Sequence, residues 1–561
     1  MNETIDGGAA TGDPHSDADR RRYYADGWWQ DRVLWDFLVD GATEHPERVF
    51  LTDGNNTLTY GSLREKGVRL AAGLAGLGVG RGDRVAVQMP NWAEFGVVTM
   101  ALSRLGAVLV PIMPIFRGDE VGYILGHSGA EVLIGPVTFH KFDYLDMYLE
   151  LREAAPALRE IVMTRPGSTV LPEGVIGFED LFVAGDLDDL DAGLGPTAGA
   201  DDGALLVYTS GTTARPKGCF HSFNTMYAGA TSVIRKLGIT SDDVVFNPSP
   251  VAHSTGLVVG LILPLLVGGG SHFQPAWDPE EGLRRIETYG CTISVTAATF
   301  LSTAIQAYDP ARHDISGMRF WGCAGAPIPG PLVQQARAVF PHMNIIAIYG
   351  RSENFATTMT GPADPPERAV TSDGRAAPGC SVRILDLEGN EAPVGAEGDV
   401  AFKGPSLMLG YYQDAAAMAE TLTPDGFHLS GDLGFADEAG YVRITGRVKD
   451  IIIRGGLNIS AREVEDLLAG HPDIVDVAVV SMPDPRLGEK ACAFVVPVDG
   501  AEPTVASLGE YLRARDVAVQ KLPERVELVD ALPRTAPGKV RKNVLRDMIA
   551  DKLRAEGVIR V

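Results

Sequence analysis

The sequence predicts an α/β protein with a large amino-terminal domain of doubly wound, mostly parallel sheets. Three observations predict this class. Strand-like apolar runs alternate with helical patterns over two long stretches, short strands with glycine turns follow them, and a last segment mixes helices and strands. The 561 residues are enough for three or four folding units of roughly 150 residues each. Apolar residues make up 45% and charged residues 22%, which excludes a largely disordered chain.

The first alternation predicts a parallel sheet near the amino-terminal end of the fold. In chain order we predict a strand at 83–90, a helix at 92–107, a strand at 108–112, a helix at 119–130 and a strand at 131–136. Strands that alternate with helices pair in parallel, because each helix carries the chain back to the end of the sheet at which the previous strand began. Ligands of such sheets bind beyond the carboxyl ends of the strands.

The rest of the chain divides into further segments. A second alternation runs from 243 to 359, and the short strands at 372–446 predict a small β-barrel or sheet. We therefore predict a flexible tail over 1–20, an amino-terminal domain over 21–447 that includes this β subdomain, and a carboxyl-terminal α+β domain over 448–561. An aromatic segment follows the tail, and we expect it to pack onto the domain rather than bind a ligand; its rings are Tyr23, Tyr24, Trp28, Trp29, Trp35 and Phe37.

Charge and composition exclude several classes of partner. The net charge is −24 and the sequence pI is near 4.9, so binding to nucleic acid is disfavoured by repulsion. The five cysteines form no CxxC pair, which argues against a zinc ribbon or a disulfide framework and fits a reducing compartment. We see no secretory signal, and the longest apolar stretch, 257–267, is too short to span a bilayer. We predict a cytoplasmic protein without stable membrane insertion.

The most informative stretch is YTSGTTARPKG at 208–218, which follows the strand-like ALLV. Gly211 lets the backbone approach a ligand, and Lys217 adds a positive charge. The loop amides and hydroxyls can bind an anion, and the hydroxyls come from Ser210, Thr212 and Thr213. The spacing differs from GxxxxGK[ST], so this is not a Walker A loop. The composition predicts a polyphosphate site.

This string resembles the signature of the adenylate-forming superfamily, which contains acyl-CoA synthetases, aryl-acid ligases, peptide-synthetase adenylation domains and luciferases. The other motifs follow in family order, and the resemblance covers roughly residues 25 to 545. It implies a large amino-terminal domain, a small mobile carboxyl-terminal domain, and a reaction that consumes ATP.

Two motifs match the family's adenine and phosphate segments. GCAGAPIP at 322–329 matches the adenine wall, and YGRSE at 349–353 resembles YGxTE, with Ser352 in place of the usual threonine. Tyr349 can stack on a purine, and Glu353 offers a hard oxygen ligand to Mg²⁺, with Thr209 as a second metal ligand. The resemblance implies that the nucleotide contacts include Gly325, Ala326, Pro327, Gly350, Arg351 and Ser352.

Three further motifs match the family's domain junction and mobile loop. By resemblance, Asp432 in SGDLG and Arg447 in GRVKD contact the ribose, and Lys449 is the hinge. The resemblance also places a CoA channel at Arg454, Gly455 and Gly456. Lys539 in PRTAPGKVRK matches the catalytic lysine of the superfamily.

The implied chemistry is activation of a carboxylic acid as an acyl adenylate, followed by transfer to a thiol. Two anions must meet, so Lys539 and a Mg²⁺ held by Glu353 are the candidates for charge compensation. The thiol acceptor stays open between coenzyme A and the phosphopantetheine of an acyl carrier protein. A non-catalytic AMP-binding or acyl-adenylate-binding module is the alternative of a different class. A homodimer also stays open.

The segment VAHSTGLVVG at 251–260 matches the family's acid pocket. It contains no carboxylate, so an α-amino acid is disfavoured, because its buried ammonium group would lack a counter-charge. Gly256 leaves room, and His253 has a second interpretation as a packed core histidine. The predicted pocket residues are His253, Ser254, Thr255, Gly256, Thr299 and Ala324. We favour a medium-chain, alicyclic or aromatic apolar acid, since YYADGWW and YGRSEN most resemble cyclohexanecarboxylate and medium-chain fatty-acid CoA ligases.

Overall fold

A computed structural model gives the fold. It describes residues 12–209, 215–325, 328–386, 388–454, 457–515, 517–534 and 539–558. The chain divides into two compact units. The first unit comprises Met1–Thr209, Pro216–Ser381 and Lys403–Phe427, and the second comprises Ser210–Arg215, Val382–Phe402 and His428–Val561. The predicted boundary and hinge near Lys449 stay predictions.

The helices and strands of the described residues are as follows. The helices are α1 (Asp17–Ala25), α2 (Leu34–Glu44), α3 (Tyr60–Gly76), α4 (Ala93–Leu105), α5 (Gly118–Ser128), α6 (Tyr144–Ala154), α7 (Leu187–Gly193), α8 (Phe223–Leu237), α9 (Ser254–Leu257), α10 (Leu263–Val267), α11 (Pro279–Thr288), α12 (Ala298–Ala307), α13 (Gly330–Val339), α14 (Arg368–Thr371), α15 (Ala415–Glu420), α16 (Ala461–Leu468), α17 (Val505–Arg513) and α18 (Lys542–Ala555). The strands are β1 (Val49–Thr52), β2 (Thr57–Thr59), β3 (Arg84–Gln88), β4 (Val108–Ile112), β5 (Val132–Pro136), β6 (Thr138–Phe139), β7 (Phe142–Asp143), β8 (Glu160–Thr164), β9 (Val175–Gly177), β10 (Gly203–Tyr208), β11 (Gly218–Ser222), β12 (Val244–Asn247), β13 (Gly270–Phe273), β14 (Ile293–Thr296), β15 (Phe320–Cys323), β16 (Asn344–Tyr349), β17 (Thr358–Met359), β18 (Arg375–Ala376), β19 (Ser381–Leu385), β20 (Gly398–Lys403), β21 (Gly410–Tyr411), β22 (His428–Ala436), β23 (Val442–Arg447), β24 (Ile451–Arg454), β25 (Leu457–Ser460), β26 (Ile474–Asp484), β27 (Gly488–Pro497) and β28 (Arg525–Leu528). Short 3₁₀ turns lie at Phe178–Leu181, Val448–Asp450 and Val519–Lys521, and a π-helical turn lies at Val258–Ile262.

The first unit contains an eight-stranded sheet in the order β21-β11-β10-β4-β3-β5-β8-β9. The pairs from β10 to β9 are parallel, whereas β11 pairs antiparallel with both β10 and β21. The helix α4 between β3 and β4 is capped by Gly106, whose φ of 68° is the left-handed conformation that glycine adopts without strain. Buried side chains of α5, α6 and the central strands form the core of this sheet.

A nine-stranded sheet in the same unit has the order β18-β17-β16-β15-β14-β12-β13-β1-β2. Its six central strands are parallel, and the outer strands at both edges pair antiparallel. Its core packs α11, α12 and α13 against the strands around the buried side chain of Trp321. The two sheets confirm the predicted doubly wound, mostly parallel fold class.

The second unit contains two antiparallel-rich sheets. One is four-stranded in the order β19-β20-β22-β23, and it is formed by the segment predicted as the small β subdomain. The other is five-stranded, with β25-β24-β27-β26 in order and β28 beside β27. Both faces of this sheet are covered by apolar clusters, one built with α16 and α17 and one with α18.

The amino-terminal segment packs on the first unit. Tyr23 and Trp29 are buried beside Ala228, with Trp28 against them, as expected for a packing role of the aromatic segment. The helix α1 begins at Asp17, inside the range predicted as a tail; residues 1–11 are not described. No helix in the described part of the chain is long and apolar enough to cross a membrane.

Candidate functional site

The predicted phosphate loop connects the antiparallel strands β10 and β11. Tyr208 faces Gly218 as the last pair of this ladder. Thr209 and Lys217 close the base of the loop with a backbone hydrogen bond of 2.9 Å, and the amide of Lys217 donates to Thr209 Oγ1 at 3.1 Å. The base is therefore a fixed frame. The loop residues Ser210, Gly211, Thr212 and Thr213 lie outside the described residues.

The motif at 349–353 is a tight turn that begins where β16 ends at Tyr349. The amide of Phe355 donates to the carbonyl oxygen of Arg351 at 2.7 Å. A Cβ at Gly350 would lie 1.8 Å from the carbonyl oxygen of Phe355, so only glycine fits this position. Phe355 has a φ of 61°, in the left-handed region. The turn is thus held in a specific backbone conformation.

Glu353 lies at the centre of a cluster of polar side chains. Its side chain is 5% exposed, and its Oε1 accepts hydrogen bonds from Tyr411 Oη at 3.0 Å and from Arg351 Nη2 at 3.1 Å. Lys217 Nζ lies 4.6 Å from the centroid of the Tyr411 ring. Two cations and one carboxylate leave a local charge of +1, which suits an anionic ligand. The structure therefore brings Lys217, Arg351 and Glu353 together around Tyr411.

Tyr411 was not predicted as a site residue. It lies in β21, where it faces Cys219 of β11, and it is 4% exposed. Burial and the neighbouring Glu353 raise the pKa of Tyr411 far above its usual value, so its hydroxyl stays protonated and donates to the carboxylate. Its only signal in the sequence is the GYY string in a strand-rich segment, which is compatible with an ordinary edge strand.

His221 is a second residue that the sequence reasoning missed. Its Nε2 lies 2.8 Å from the carbonyl oxygen of Ser352, and its Nδ1 lies 3.0 Å from Thr225 Oγ1. Its ring packs on Phe355 with a centroid distance of 4.4 Å. Burial lowers the pKa of His221 to about 4, which makes the imidazole neutral at pH 7.

Only part of the predicted adenine wall is described. Ala324 follows β15, and its amide donates to the carbonyl oxygen of Thr296 at 2.8 Å. Gly325 has a φ of 83°, so the turn after the strand needs a residue that tolerates the left-handed region. Ala326 and Pro327 lie outside the described residues.

The segment predicted as the acid pocket begins a helix. His253 caps α9, because its Nδ1 accepts from the amide of Thr255 at 3.3 Å. A Cβ at Gly256 would lie 2.1 Å from the carbonyl oxygen of Pro250, so close backbone packing requires this glycine, which is a different reason from room for a substrate. The helix continues through the π-helical turn at Val258–Ile262, a feature often found at functional sites. Ser254 is buried and Thr299 is exposed on α12.

In the second unit, Asp432 and Arg447 face each other across β22 and β23. Arg447 Nε donates to Asp432 Oδ1 at 2.8 Å, and the Asp432 side chain is 6% exposed. Asp399 supports this arrangement, since its carboxylate accepts from the amides of Ser430 and Gly431, which precede Asp432 in β22 at an irregularity in the pairing with β20. Burial raises the pKa of Asp399. The two residues predicted to bind ribose thus form one hydrogen-bonded pair.

The predicted hinge is part of the 3₁₀ turn Val448–Asp450. Burial and the nearby Arg447 lower the pKa of Lys449. Arg546 of α18 donates to the carbonyl oxygen of Lys449 at 3.3 Å and pairs with Asp450. The helix α18 is therefore tied to the turn at the position predicted as the hinge.

The predicted CoA channel is described only at Arg454. Its guanidinium forms a two-point ion pair with Glu524, with distances of 2.9 and 3.2 Å. Gly455 and Gly456 lie outside the described residues.

Lys539 follows the four residues 535–538, which are not described, and its side chain is half-buried. The loop around it is closed by a bridge between Arg534 and Val540 and by a 2.7 Å hydrogen bond from the Arg541 amide to the carbonyl oxygen of Pro533.

The residues present fit a Mg²⁺ bound together with nucleotide phosphates. No group of three or more His, Cys, Asp or Glu side chains that could hold a metal ion exists among the described residues. Mg²⁺ in nucleotide sites needs only one or two protein oxygens in addition to phosphates and waters. The carboxylate of Glu353 and the hydroxyl of Thr209 are oxygen donors of this kind.

Comparison with known proteins gives consistent matches over nearly the whole chain. Residues 38–412 match the family described as AMP-binding enzyme, and residues 463–539 match the AMP-binding enzyme C-terminal domain. The chain is 33% identical to the medium-chain fatty-acid–CoA ligase of Escherichia coli, over 95% of this chain and 93% of that protein. It is also 33% identical to the salicyl-AMP ligase / salicyl-S-ArCP synthetase of Mycobacterium tuberculosis, over 94% and 93% of the two chains. ATP-bound MatB from Rhodopseudomonas palustris has a similar structure, with a TM-score of 0.81 at 29% identity, over 93% of this chain and all of MatB.

Proposed function

We propose a specific reaction for this chain, which belongs to the AMP-binding enzyme family and is an adenylate-forming acid ligase. The proposed reaction is ATP-dependent ligation of an apolar carboxylic acid to coenzyme A through an acyl-AMP intermediate. The observation that supports it best is the cluster of Glu353, Arg351, Tyr411 and Lys217 beside the base of the phosphate loop.

The proposed reaction has two steps. In the first, a carboxylate oxygen of the acid attacks the α-phosphorus of ATP, the bond to the β-phosphate oxygen breaks, and pyrophosphate leaves. In the second, the sulfur of the acceptor thiol, with loss of its proton, attacks the acyl carbon and AMP leaves. Both steps depend on alignment and on compensation of negative charge, since the protein forms no covalent bond in either.

Each group of predicted residues has a role in the first step. Thr209, the loop hydroxyls and Lys217 hold the pyrophosphate end, and Asp432 and Arg447 hold the ribose. Glu353 and Thr209 hold Mg²⁺, which, when bound, neutralises charge on the phosphates. Lys539 stabilises the negative charge that develops at the α-phosphate. Tyr349 and the segment at Gly325 line the adenine.

We propose an acid with an apolar body and no α-ammonium group. The helix that His253 caps carries no carboxylate in its first turns, and its buried residues are apolar or small. A buried ammonium group there would lack a counter-charge. The relatives fit this class, because one is a medium-chain fatty-acid–CoA ligase and another acts on salicylate.

The acceptor has a second candidate, because one relative is also a salicyl-S-ArCP synthetase. We propose coenzyme A as the acceptor, with a carrier-protein phosphopantetheine as the alternative. For either thiol we propose that the carboxyl-terminal domain reorients about Lys449 between the two steps, so that the Lys539 loop leaves the space that the thiol needs.

The test is acid-dependent exchange of radiolabelled pyrophosphate into ATP. The panel contains octanoate, cyclohexanecarboxylate, benzoate, hydroxybenzoates and amino acids. We expect exchange with at least one apolar acid and none with amino acids. The best acid is then tested for thioester formation with coenzyme A and with a panel of carrier proteins. Exchange with an amino acid alone would refute the pocket assignment, and ATP binding without exchange for any acid would favour a non-catalytic binding module.

A further inference from the structure

We propose that His221 is a positioning residue that orients Glu353 by holding the carbonyl oxygen of Ser352. The inference rests on the proposed role of Glu353 in holding Mg²⁺ of the nucleotide. His221 has no proposed contact with substrate, so it acts only through the turn at 349–353. Its role is to fix the direction in which the Glu353 carboxylate points.

The strand β11 contacts both the tyrosine that binds the Glu353 carboxylate and the turn that carries Glu353. Cys219 of β11 faces Tyr411, whose hydroxyl donates to Glu353 Oε1. His221 of the same strand reaches the carbonyl oxygen of Ser352, the residue before Glu353. Cys219 and His221 are two residues apart, so their side chains lie on the same face of β11. The strand thus fixes both the hydroxyl that contacts the carboxylate and the backbone that carries it.

The hydrogen bonds define the tautomer of His221. A carbonyl oxygen only accepts, so Nε2 carries the hydrogen and donates it to Ser352 at 2.8 Å. In the neutral ring Nδ1 is then an acceptor; it lies 3.0 Å from Thr225 Oγ1, a hydroxyl that also lies within donating distance of the Ser222 carbonyl oxygen, at 3.1 Å. The Phe355 ring packs on the His221 imidazole, with a distance of 4.4 Å between the ring centroids. The imidazole therefore has one orientation and one tautomer.

Burial makes the Ser352 contact hard to replace. His221 is 0% exposed, so water does not reach the Ser352 carbonyl through the space that the ring occupies. A side chain without a donor would leave that carbonyl unsatisfied, whereas a glutamine extends an amide N–H to about the position of Nε2. The turn is already confined by Gly350 and by the left-handed Phe355, so a lost anchor at Ser352 shifts the neighbouring Glu353.

Three variants test this role. His221→Leu removes the donor, and His221→Gln keeps one. His272→Leu is the matched control, since His272 is also 0% exposed in the same unit but lies in β13, where its Nε2 contacts Arg285. For each protein we measure the Mg²⁺ concentration at half-maximal exchange, the KM of the acid, ATP affinity in Mg²⁺ by calorimetry, and the melting temperature.

We expect His221→Leu to raise the half-maximal Mg²⁺ concentration and the dissociation constant of ATP in Mg²⁺ by about tenfold, the equivalent of one lost hydrogen bond. The KM of the acid stays within about twofold, and His221→Gln recovers most of the Mg²⁺ response. His272→Leu lowers the melting temperature without changing the Mg²⁺ response. A folded His221→Leu protein with wild-type Mg²⁺ response would overturn the proposal, as would a glutamine variant as impaired as the leucine variant.

A measurement on the wild-type protein covers the case in which the variants do not fold. The ¹⁵N spectrum of protein labelled at histidine distinguishes the two neutral tautomers, and we expect a buried histidine with the hydrogen on Nε2 whose signal is insensitive to pH near neutrality. A hydrogen on Nδ1 of His221 would refute the proposal. If the wild-type protein activates no acid, the proposed function fails, while calorimetry and the spectrum still decide the role of His221.

Discussion

Lys539 is the residue on which the proposed first step depends most. It sits on a loop whose base is closed by the Arg534–Val540 bridge and anchored by the ion pair of Arg534 with Asp476. Such a base holds the ends of the loop while the segment between them carries the lysine. Because the charge of Lys539 is proposed to act only at the α-phosphate, its removal should affect the two steps differently.

The Lys539→Ala variant should lose about 10²- to 10³-fold in the adenylation rate, the usual cost of one charge-stabilising donor. Thioester formation from supplied acyl adenylate should stay within about threefold of the wild-type rate. That step breaks the bond between the acyl carbon and the phosphate oxygen, and no bond to the α-phosphorus changes. Rapid-quench measurement of each step separates the two rates. Lys521→Ala is the control, because Lys521 pairs with Glu463 elsewhere in the second unit. Equal loss in both steps would contradict the assigned role.

The proximity of individual residues of the Glu353 cluster was predictable from the sequence where a short motif contains them. Lys217, Arg351 and Glu353 belong to two such motifs, and the structure places them around one tyrosine. Tyr411 and His221 were not predictable in the same way, because each acts on a residue 58 or 131 positions away in the chain. The Tyr411 contact exists only after β21 has paired with β11, and the His221 contact only after β11 has packed against the turn at 349–353. A tyrosine or histidine in a strand carries no local sign of either event.

The amino-terminal segment acts as an element that supports the Glu353 cluster from outside. The indole of Trp29 donates to the carbonyl oxygen of Pro405 at 2.8 Å, and His15 Nε2 lies 2.7 Å from that of Leu407. The next amide, Met408, donates to the carbonyl oxygen of Glu353 at 2.8 Å. The segment from Pro405 to Tyr411 is therefore held by α1 and its flanks on one side and by the site on the other.

Loss of the Trp29 side chain should loosen this segment. Trp29→Ala should cost about 3–5 kcal/mol in the free energy of unfolding, the range for a fully buried tryptophan, and should expose 405–411 to proteolysis. Trp28→Ala is the matched control, since Trp28 is half-buried and its ring contacts Arg235 of α8. Urea unfolding and the rate of chymotrypsin cleavage after Leu407 or Tyr411 measure the two effects. Equal cleavage rates for the two variants would argue against a supporting role.

At the scale of elements, the sequence predicted the alternating core better than the edges. The predicted strands at 83–90 and 108–112 and the helix at 92–107 correspond to β3, β4 and α4 within a few residues. These elements have strong apolar periodicity, and β3 and β4, which follow each other in the chain, are also paired in the sheet. The edge strand β21 is two residues long and joins β11 from far along the chain, so no local pattern reveals its partner. The run Val258–Ile262 likewise has no periodicity in the sequence that would predict its π-helical turn.

Over the whole molecule, buried neutral histidines make stability depend on pH. Burial lowers the pKa of His15, that of His221 to about 4 and that of His272 to about 3. Each folded-state pKa lies below the unfolded value near 6.5, so the unfolded chain binds more protons as the pH falls. Their stabilising effect is complete above pH 6.5 and is lost progressively below it.

Stability should therefore fall between pH 7.5 and 5.5, with each buried histidine adding at most about 1.4 kcal/mol per pH unit to the slope. Urea unfolding at several pH values in this window measures the slope, and the window lies above the pH range in which most carboxylates titrate. His272→Leu should be less stable at pH 7.5 but have a shallower slope, since one titrating group is gone. A variant with the wild-type slope would show that His272 does not remain neutral in the folded state.

The late position of β21 has a consequence for how the protein is made. Ribosomes release the amino-terminal end first, so β10 and β11 emerge long before Gly410 and Tyr411, which complete the edge of their sheet. Until then a nascent polypeptide presents β11 as an open edge, and the Glu353 carboxylate has no phenol to meet it. Translation must therefore pass residue 411 before the eight-stranded sheet of the first unit can be completed. A chain arrested earlier leaves β11 exposed and is a natural target for chaperones.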